Sequence, residues 1–268
     1  MPELPDVEIY RHRLDAHALH KRIERVDVKA SGLLQGTSAA ELRRLLTGHN
    51  LASTRRHGKH LFVEIGGERR WLRLHFGMTG ELRYYEGGDP PDHVRLRLDF
   101  DDDRHLIYRN VRKLGRIGVA DSPEEYARAA GLGPDALDVS PAVLRALLEG
   151  RSGTVKGLLM NQGLIAGLGN VYVDEILYQA GVHPETPARA IDGRTAKSLH
   201  RIMGRVIATA IAREADPSRV PRQWLLPHRR AGADCPRCPG TIRSKRIAGR
   251  TSYYCDEHQR PPAAGGGC

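Results

Sequence analysis

The sequence predicts an α+β chain: a leading helix, an antiparallel sheet domain, a helical domain and a small cysteine-bearing hairpin at the end. Three observations carry this reading. Apolar residues recur at helical spacing near the start and again over 195–212. Short alternating apolar and polar runs, separated by glycine and proline turns, fill residues 23–120. Two short knuckles containing Cys235, Cys238 and Cys255 then stand near the C-terminus.

Taken in order, Asp6 to Leu19 reads as a helix, because Pro5 sits near its start and Val7, Tyr10, Leu14 and Ala18 share a face. Strands are expected at Leu61–Ile65, Trp71–His75 and Val94–Leu98, with turns at Gly66-Gly67 and Gly87–Pro91. A stretch rich in Gly, Pro and Asp, 129–141, breaks the chain. Beyond it Ser140-Pro141 opens a helix, Thr154 to Met160 begins another, and Thr195 to Ala212 carries Leu199, Ile202, Val206 and Ala210 on one side. A Pro- and Arg-rich connector, Asp216 to Asp234, leads to the cysteine module, and Pro261 to Cys268 is expected to be a disordered tail. Domain bounds follow at 2–128, 138–230 and 231–262.

The 268 residues carry a net charge of +10 and a pI near 9.7, which favours a polyanionic partner. Basic residues concentrate at 55–59, 109–116, 221–230 and 243–250. Aromatic residues make up only 5%, too few for a platform that stacks exposed bases, so phosphate contact with a duplex fits better. No apolar run approaches the ~20 residues that span a bilayer, and the N-terminus lacks the basic and apolar regions of a signal peptide. The expectation is a cytoplasmic, nucleoid-associated monomer with no membrane role, in which paired cysteines indicate metal before disulfide.

Cys235-Pro-Arg-Cys238 and Cys255-Asp-Glu-His258 are separated by sixteen residues. Two such knuckles place four ligands about one structural Zn²⁺, with no position left for water. Thr241-Ile242 and Thr251–Tyr254, with Gly249-Arg250 as the turn, read as the hairpin between them. Cys268 is a spare terminal thiol on this reading.

Five motifs then carry a resemblance. Met1–Glu8 (MPELPDVE), Gly58–Leu61 (GKHL), His75–Gly80 (HFGMTG), Gly163–Glu175 (GLIAGLGNVYVDE) and the cysteine module with Gly249-Arg250 before its second knuckle resemble the formamidopyrimidine-DNA glycosylase and endonuclease VIII family. They run in the family's order and span nearly the whole chain. The resemblance implies an N-terminal antiparallel β-sandwich domain with flanking helices, a helix–two-turns–helix domain and a β-hairpin zinc ribbon. It also implies excision of oxidised or ring-opened bases from damaged double-stranded DNA, with abasic-site lyase activity, in base excision repair.

Residue roles follow from it. Loss of the initiator Met leaves Pro2 with a terminal secondary amine, and an α-amino group titrates near ~8, far below a lysine. Such an amine can attack the anomeric carbon and form a Schiff base, with Glu3 as the acid/base and β- then δ-elimination cutting the strand. Lys59 enters the active site. His93, Arg112, Lys156, Asn170 and Arg250 are the implied DNA contacts. Met78, Arg112 and Leu114 fill the void left by the extruded base.

Four features depart from the family pattern: Asp6 where glutamate is common, Leu114 where an aromatic is usual, the connector Asp216 to Asp234, and His258 in place of a fourth cysteine. The connector is short, and Trp224 to Arg230 looks closer to the endonuclease VIII branch, so the lesion stays open between oxidised purines and pyrimidines. A catalytically silent DNA binder of the same fold is the alternative; it would have no need of an amine beside a carboxylate at Pro2-Glu3. A zinc-ribbon protein of RNA or the ribosome is a third reading.

Overall fold

A computed structural model describes residues 1–87 and 91–260. Part of the expected Gly87–Pro91 turn, and the tail with Cys268, lie outside the described residues. The chain divides into two compact units, Met1–Gly131 and a second beginning at Leu132.

In the first unit, α1 (Leu4–His17) leads into β1 (Ile23–Val28), β2 (Leu34–Gln35), α2 (Ala39–Leu46), β3 (Leu51–His57), β4 (His60–Ile65), β5 (Trp71–His75), β6 (Gly80–Glu86), β7 (Val94–Phe100), β8 (Arg104–Asn110), β9 (Arg116–Ala120) and α3 (Pro123–Ala129). The strands form two sheets, β1-β7-β8-β6 and β2-β9-β5-β4-β3. All pairings are antiparallel except the short β2–β9 ladder. Alternation sends Leu61, Val63 and Ile65 of β4 and Leu96, Leu98 and Phe100 of β7 into one shared core, joined by Leu14 of α1 and Leu42 of α2. α2 lies within a stretch read from sequence as strands. Its Ser38 N-cap accepts from Glu41 N at 3.1 Å, and Leu42, Leu45 and Leu46 bury its inner side.

The second unit holds α4 (Pro141–Leu148), α5 (Val155–Leu159), α6 (Asn170–Ala180), α7 (Gly193–Ala212) and the hairpin β10 (Arg243–Ile247) and β11 (Arg250–Tyr254). Ser140 caps α4 by accepting from Val143 N at 3.2 Å, with Pro141 at the first helical position. The loop between α5 and α6 is stapled by one side chain. Gln162 donates to Met160 O and Leu168 O at 2.9 and 2.8 Å and accepts from Gly167 N at 3.0 Å. The hairpin turn is Ala248-Gly249, both at positive φ (49° and 74°), one residue earlier than the sequence reading placed it. Among the described residues, no helix is long and apolar enough to cross a membrane.

α6 is the spine of this unit, and the hairpin is tied to it through a buried carboxylate. Asp174 Oδ1 lies 2.5 Å from Lys156 Nζ of α5, while Oδ2 lies 2.7 Å from Arg229 Nη2 and accepts from Tyr253 N of β11 at 3.1 Å. Lys156 also donates to Ser252 Oγ. At the next residue, Glu175 Oε2 accepts from Leu226 N at 2.8 Å, fastening the connector to the same helix. Burial raises the Glu175 carboxyl to about 7. Replacing Asp174 by Asn leaves Lys156 buried against a neutral partner, which costs about 3–5 kcal/mol. We expect a loss of that size in denaturant unfolding of the D174N chain; a loss below about 1 kcal/mol would remove Asp174 from its organising role.

Candidate functional site and family

Two sets of side chains gather, one in each unit. In the first unit the amino terminus, α1 and the β3–β4 hairpin converge. Glu3 is the buried N-cap of α1, and its N–H donates to Asp6 Oδ2 at 2.8 Å, one half of a capping box. Asp6 is itself largely buried, and burial raises its carboxyl above the ordinary value. The chain's terminal ammonium and Lys59 both pull it back down, so the two cationic nitrogens share one carboxylate as neighbour.

Lys59 reaches this place because of a two-residue hairpin turn. His57 pairs with His60, and Gly58 takes φ 57°, the first central position of a turn that requires glycine. The turn is anchored from behind. Arg56 Nη1 donates to Gly58 O at 2.9 Å, and Arg56 Nε donates to Glu8 Oε2 of α1 at 2.8 Å. Burial alone would raise the Glu8 carboxyl; hydrogen bonds and charge from Arg11 and Arg56 outweigh it and bring it below the usual range. Arg56 is therefore spent inside the protein, although it belongs to the basic run 55–59.

Beside Lys59 stand two histidines to which the sequence reading gave no role. His60 and His75 face each other across β4 and β5 with ring centres 4.8 Å apart. Burial, then neighbouring positive charge, lowers His60 to about 2 and His75 to about 4, so both are neutral near pH 7. Lys59 is among the charges acting on both. The cross-strand register that brings the rings together is the signal that would have found them.

The same unit presents an exposed apolar cluster. Met78 is 42% exposed, Val111 41% and Leu114 43%, unusual values for such side chains. Two loops hold them near one another: Thr79 Oγ1 accepts from Arg112 N at 3.1 Å, and a methyl at Gly77 would strike the Leu114 carbonyl. Buried Asn110 donates to Phe76 O at 3.1 Å and to the Tyr108 hydroxyl at 3.0 Å, which locks the base of both loops. Arg112 is exposed at the same rim, and exposed His93 accepts from Asn110 N through its carbonyl at 3.0 Å.

In the second unit Asn170 is the first residue of α6, with Gly169 as N-cap, so it is not the cap itself. Its Nδ2 donates to Thr251 O at 2.9 Å, next to exposed Arg250 at the start of β11. The helix N-terminus thus meets the hairpin strand one residue from an exposed arginine, an arrangement suited to an anion. Lys156 corrects the sequence reading. It is fully buried and held by Asp174 and Ser252, so it does not reach a phosphate and instead ties α5 to the hairpin.

At the other end of the module, one ligand atom from each of Cys235, Cys238 and Cys255 lies within 4.8 Å of the other two, and this group can hold a metal ion. A tetrahedral ion with Zn–S bonds of about 2.3 Å sets its sulfurs about 3.8 Å apart. Cys238 Sγ and Cys255 Sγ are 3.5 Å apart, so the thiols fit that ion. His258 stands outside this triplet, with Nε2 2.9 Å from Tyr178 O.

Residues 1–117 match the formamidopyrimidine-DNA glycosylase N-terminal domain, and residues 131–221 match the H2TH domain of the same enzymes. The formamidopyrimidine-DNA glycosylase of Methylococcus capsulatus is 35% identical over 97% of this chain and 100% of its own length. That of Geobacter metallireducens is 34% identical with the same coverage. The Lactococcus lactis enzyme Fpg, solved in complex with DNA containing an abasic site, superposes with a TM-score of 0.87 at 28% identity, over 97% of this chain and 100% of that one. A structure of MutM with DNA containing carbocyclic 8-oxo-G gives 0.87 at 29%, again over 97% and 100%. This chain belongs to the formamidopyrimidine-DNA glycosylase family.

Proposed function

We propose that this chain is a bifunctional DNA glycosylase and abasic-site lyase whose nucleophile is the amine of Pro2. The observation that carries the proposal is the Asp6 carboxylate at the start of α1, which accepts from the Glu3 N–H at 2.8 Å and on which the charges of the Met1 ammonium and of Lys59 both act. With Met1 removed, the Pro2 nitrogen bonds to C1′ of the damaged nucleoside and the C1′–base bond breaks, the base leaving with a proton. Glu3 delivers a proton to the sugar ring oxygen as the ring opens, and the resulting iminium makes the C2′ proton acidic. Loss of that proton expels the 3′-phosphate, and a second elimination expels the 5′-phosphate. Lys59 supplies positive charge for the backbone phosphate at the lesion.

Met78, Arg112 and Leu114 fill the space vacated by the extruded nucleotide, a role that accounts for the exposure of the two apolar side chains. His93, Asn170 and Arg250 serve as phosphate contacts, Arg250 by its planar fork. We place ring-opened and oxidised purines first among substrates, because the relatives bear the formamidopyrimidine name and the DNAs held by the solved neighbours include Fapy-dG and 8-oxo-G lesions.

The metal is one structural Zn²⁺ on Cys235, Cys238, Cys255 and His258. With His258 Nε2–H directed to the Tyr178 carbonyl, Nδ1 is the ring nitrogen left to ligate, the usual pairing of a metal-bound histidine with a backbone acceptor. When bound, the ion folds a module too small to bury a core of its own.

Borohydride should trap a covalent adduct between the chain and abasic-site DNA, and peptide mapping should place it on residue 2. A chain that keeps Met1, or whose Pro2 amine is blocked, should give none. An adduct on any other residue overturns the assignment. Arg250→Ala should weaken binding to DNA carrying an abasic-site analogue and lower the log–log salt slope by about one contact. An unchanged slope would remove Arg250 from the interface.

A further inference from the structure

α6 meets the cysteine module a second time, two helical turns beyond Asn170, through Tyr178. Tyr178 is fully buried. Its hydroxyl is 3.1 Å from Cys235 Sγ, in the first knuckle. Its main-chain carbonyl is 2.9 Å from His258 Nε2, in the second knuckle, and its ring lies 4.7 Å from the His258 ring. Arg237, between the two cysteines of the first knuckle, sits over the same ring at 5.5 Å. One side chain from outside the module thus touches both halves of the ligand set proposed above.

We propose that Tyr178 is a positioning residue of the metal site, fixing the Cys235 sulfur through its hydroxyl and the His258 ring through its carbonyl and ring. The inference rests on the metal reading of the preceding subsection. Its physical content is specific. A ligating sulfur is a thiolate and can only accept, so the tyrosine O–H must donate to it. A donor in that place withdraws charge from the sulfur and holds it at one angle. The carbonyl fixes the tautomer of His258, so that Nδ1 would be the nitrogen able to ligate. Because Tyr178 shares a helical face with Asn170 and Asp174, spaced four residues apart, the same register that seats the hairpin also seats the knuckles.

The decisive variant is Tyr178→Phe, which keeps the ring and the carbonyl and removes only the hydroxyl. Zinc content and zinc affinity are measured on the whole chain, the latter by competition with a chromogenic chelator. Wild type should carry one zinc per chain, and Tyr178→Phe should keep that stoichiometry while losing about 10- to 100-fold in affinity. Substitution with Co²⁺ supplies a readout that mere packing would not move, since the sulfur-to-metal charge-transfer band should shift when the donor to Cys235 is removed. An affinity and a Co²⁺ spectrum equal to those of wild type overturn the proposal while leaving the metal site intact. Wild-type chain without zinc, or Cys255→Ala with as much zinc as wild type, overturns the metal reading and this inference together.

Discussion

The second unit depends on one buried carboxylate. Asp174 accepts from α5 through Lys156, from the connector through Arg229 and from β11 through the Tyr253 amide. Two cations around one anion leave the cluster with a net positive charge, and desolvation makes such a group costly unless every lone pair is used. Three donors share its two oxygens here, and the geometry is therefore narrow. Since α6 cannot rotate without breaking three contacts at once, Asn170 at its first residue is aimed by Asp174 one turn later. The same rigidity places Thr251, and with it Arg250, against the helix start.

The first unit solves a similar problem with a different device. Lys59 must stand at a fixed place beside a chain end, and chain ends are ordinarily loose. A buried ion pair between Arg56 and Glu8 reaches from the hairpin to α1, while the cap at Glu3 and Asp6 holds the first turn of that helix. The helix is thus tied to the sheet at Glu8, and its first turn is held from Glu3 onward. His60 and His75 stand near Lys59 as neutral rings, so neither adds a positive charge beside the lysine.

Much of this was legible in local sequence, where the chemistry is itself local. Ser140-Pro141 reads as a helix start because both residues satisfy end conditions. Leu199, Ile202, Val206 and Ala210 mark their helix by spacing, and all four are buried. What was illegible depends on partners remote in sequence. Lys156 looks like any solvent lysine until Asp174, eighteen residues away, and Ser252, ninety-six away, enclose it. α2 was hidden in a strand-rich stretch because eight residues give few periods to read. The ribbon turn slipped by one because Ala248 adopts a backbone conformation seldom taken by alanine.

Leu114 is where this chain most constrains its own specificity on the proposed reading. A protein of this size gains nothing in water from three exposed apolar side chains held on two interlocked loops, so their stability must be balanced by what they meet in the complex. Leucine fills volume through dispersion, without the flat face that lets an aromatic ring stack between bases. A wedge of Met78 and Leu114 therefore compensates for lost stacking while being nearly indifferent to which base lies opposite. Hydrogen bonds, unlike dispersion, distinguish bases by their edges. On that reading the exposed Arg112 and Lys113 beside the wedge are the side chains able to form them, and the Thr79 contact that fixes the Arg112 backbone bears on how that loop meets the opposite base.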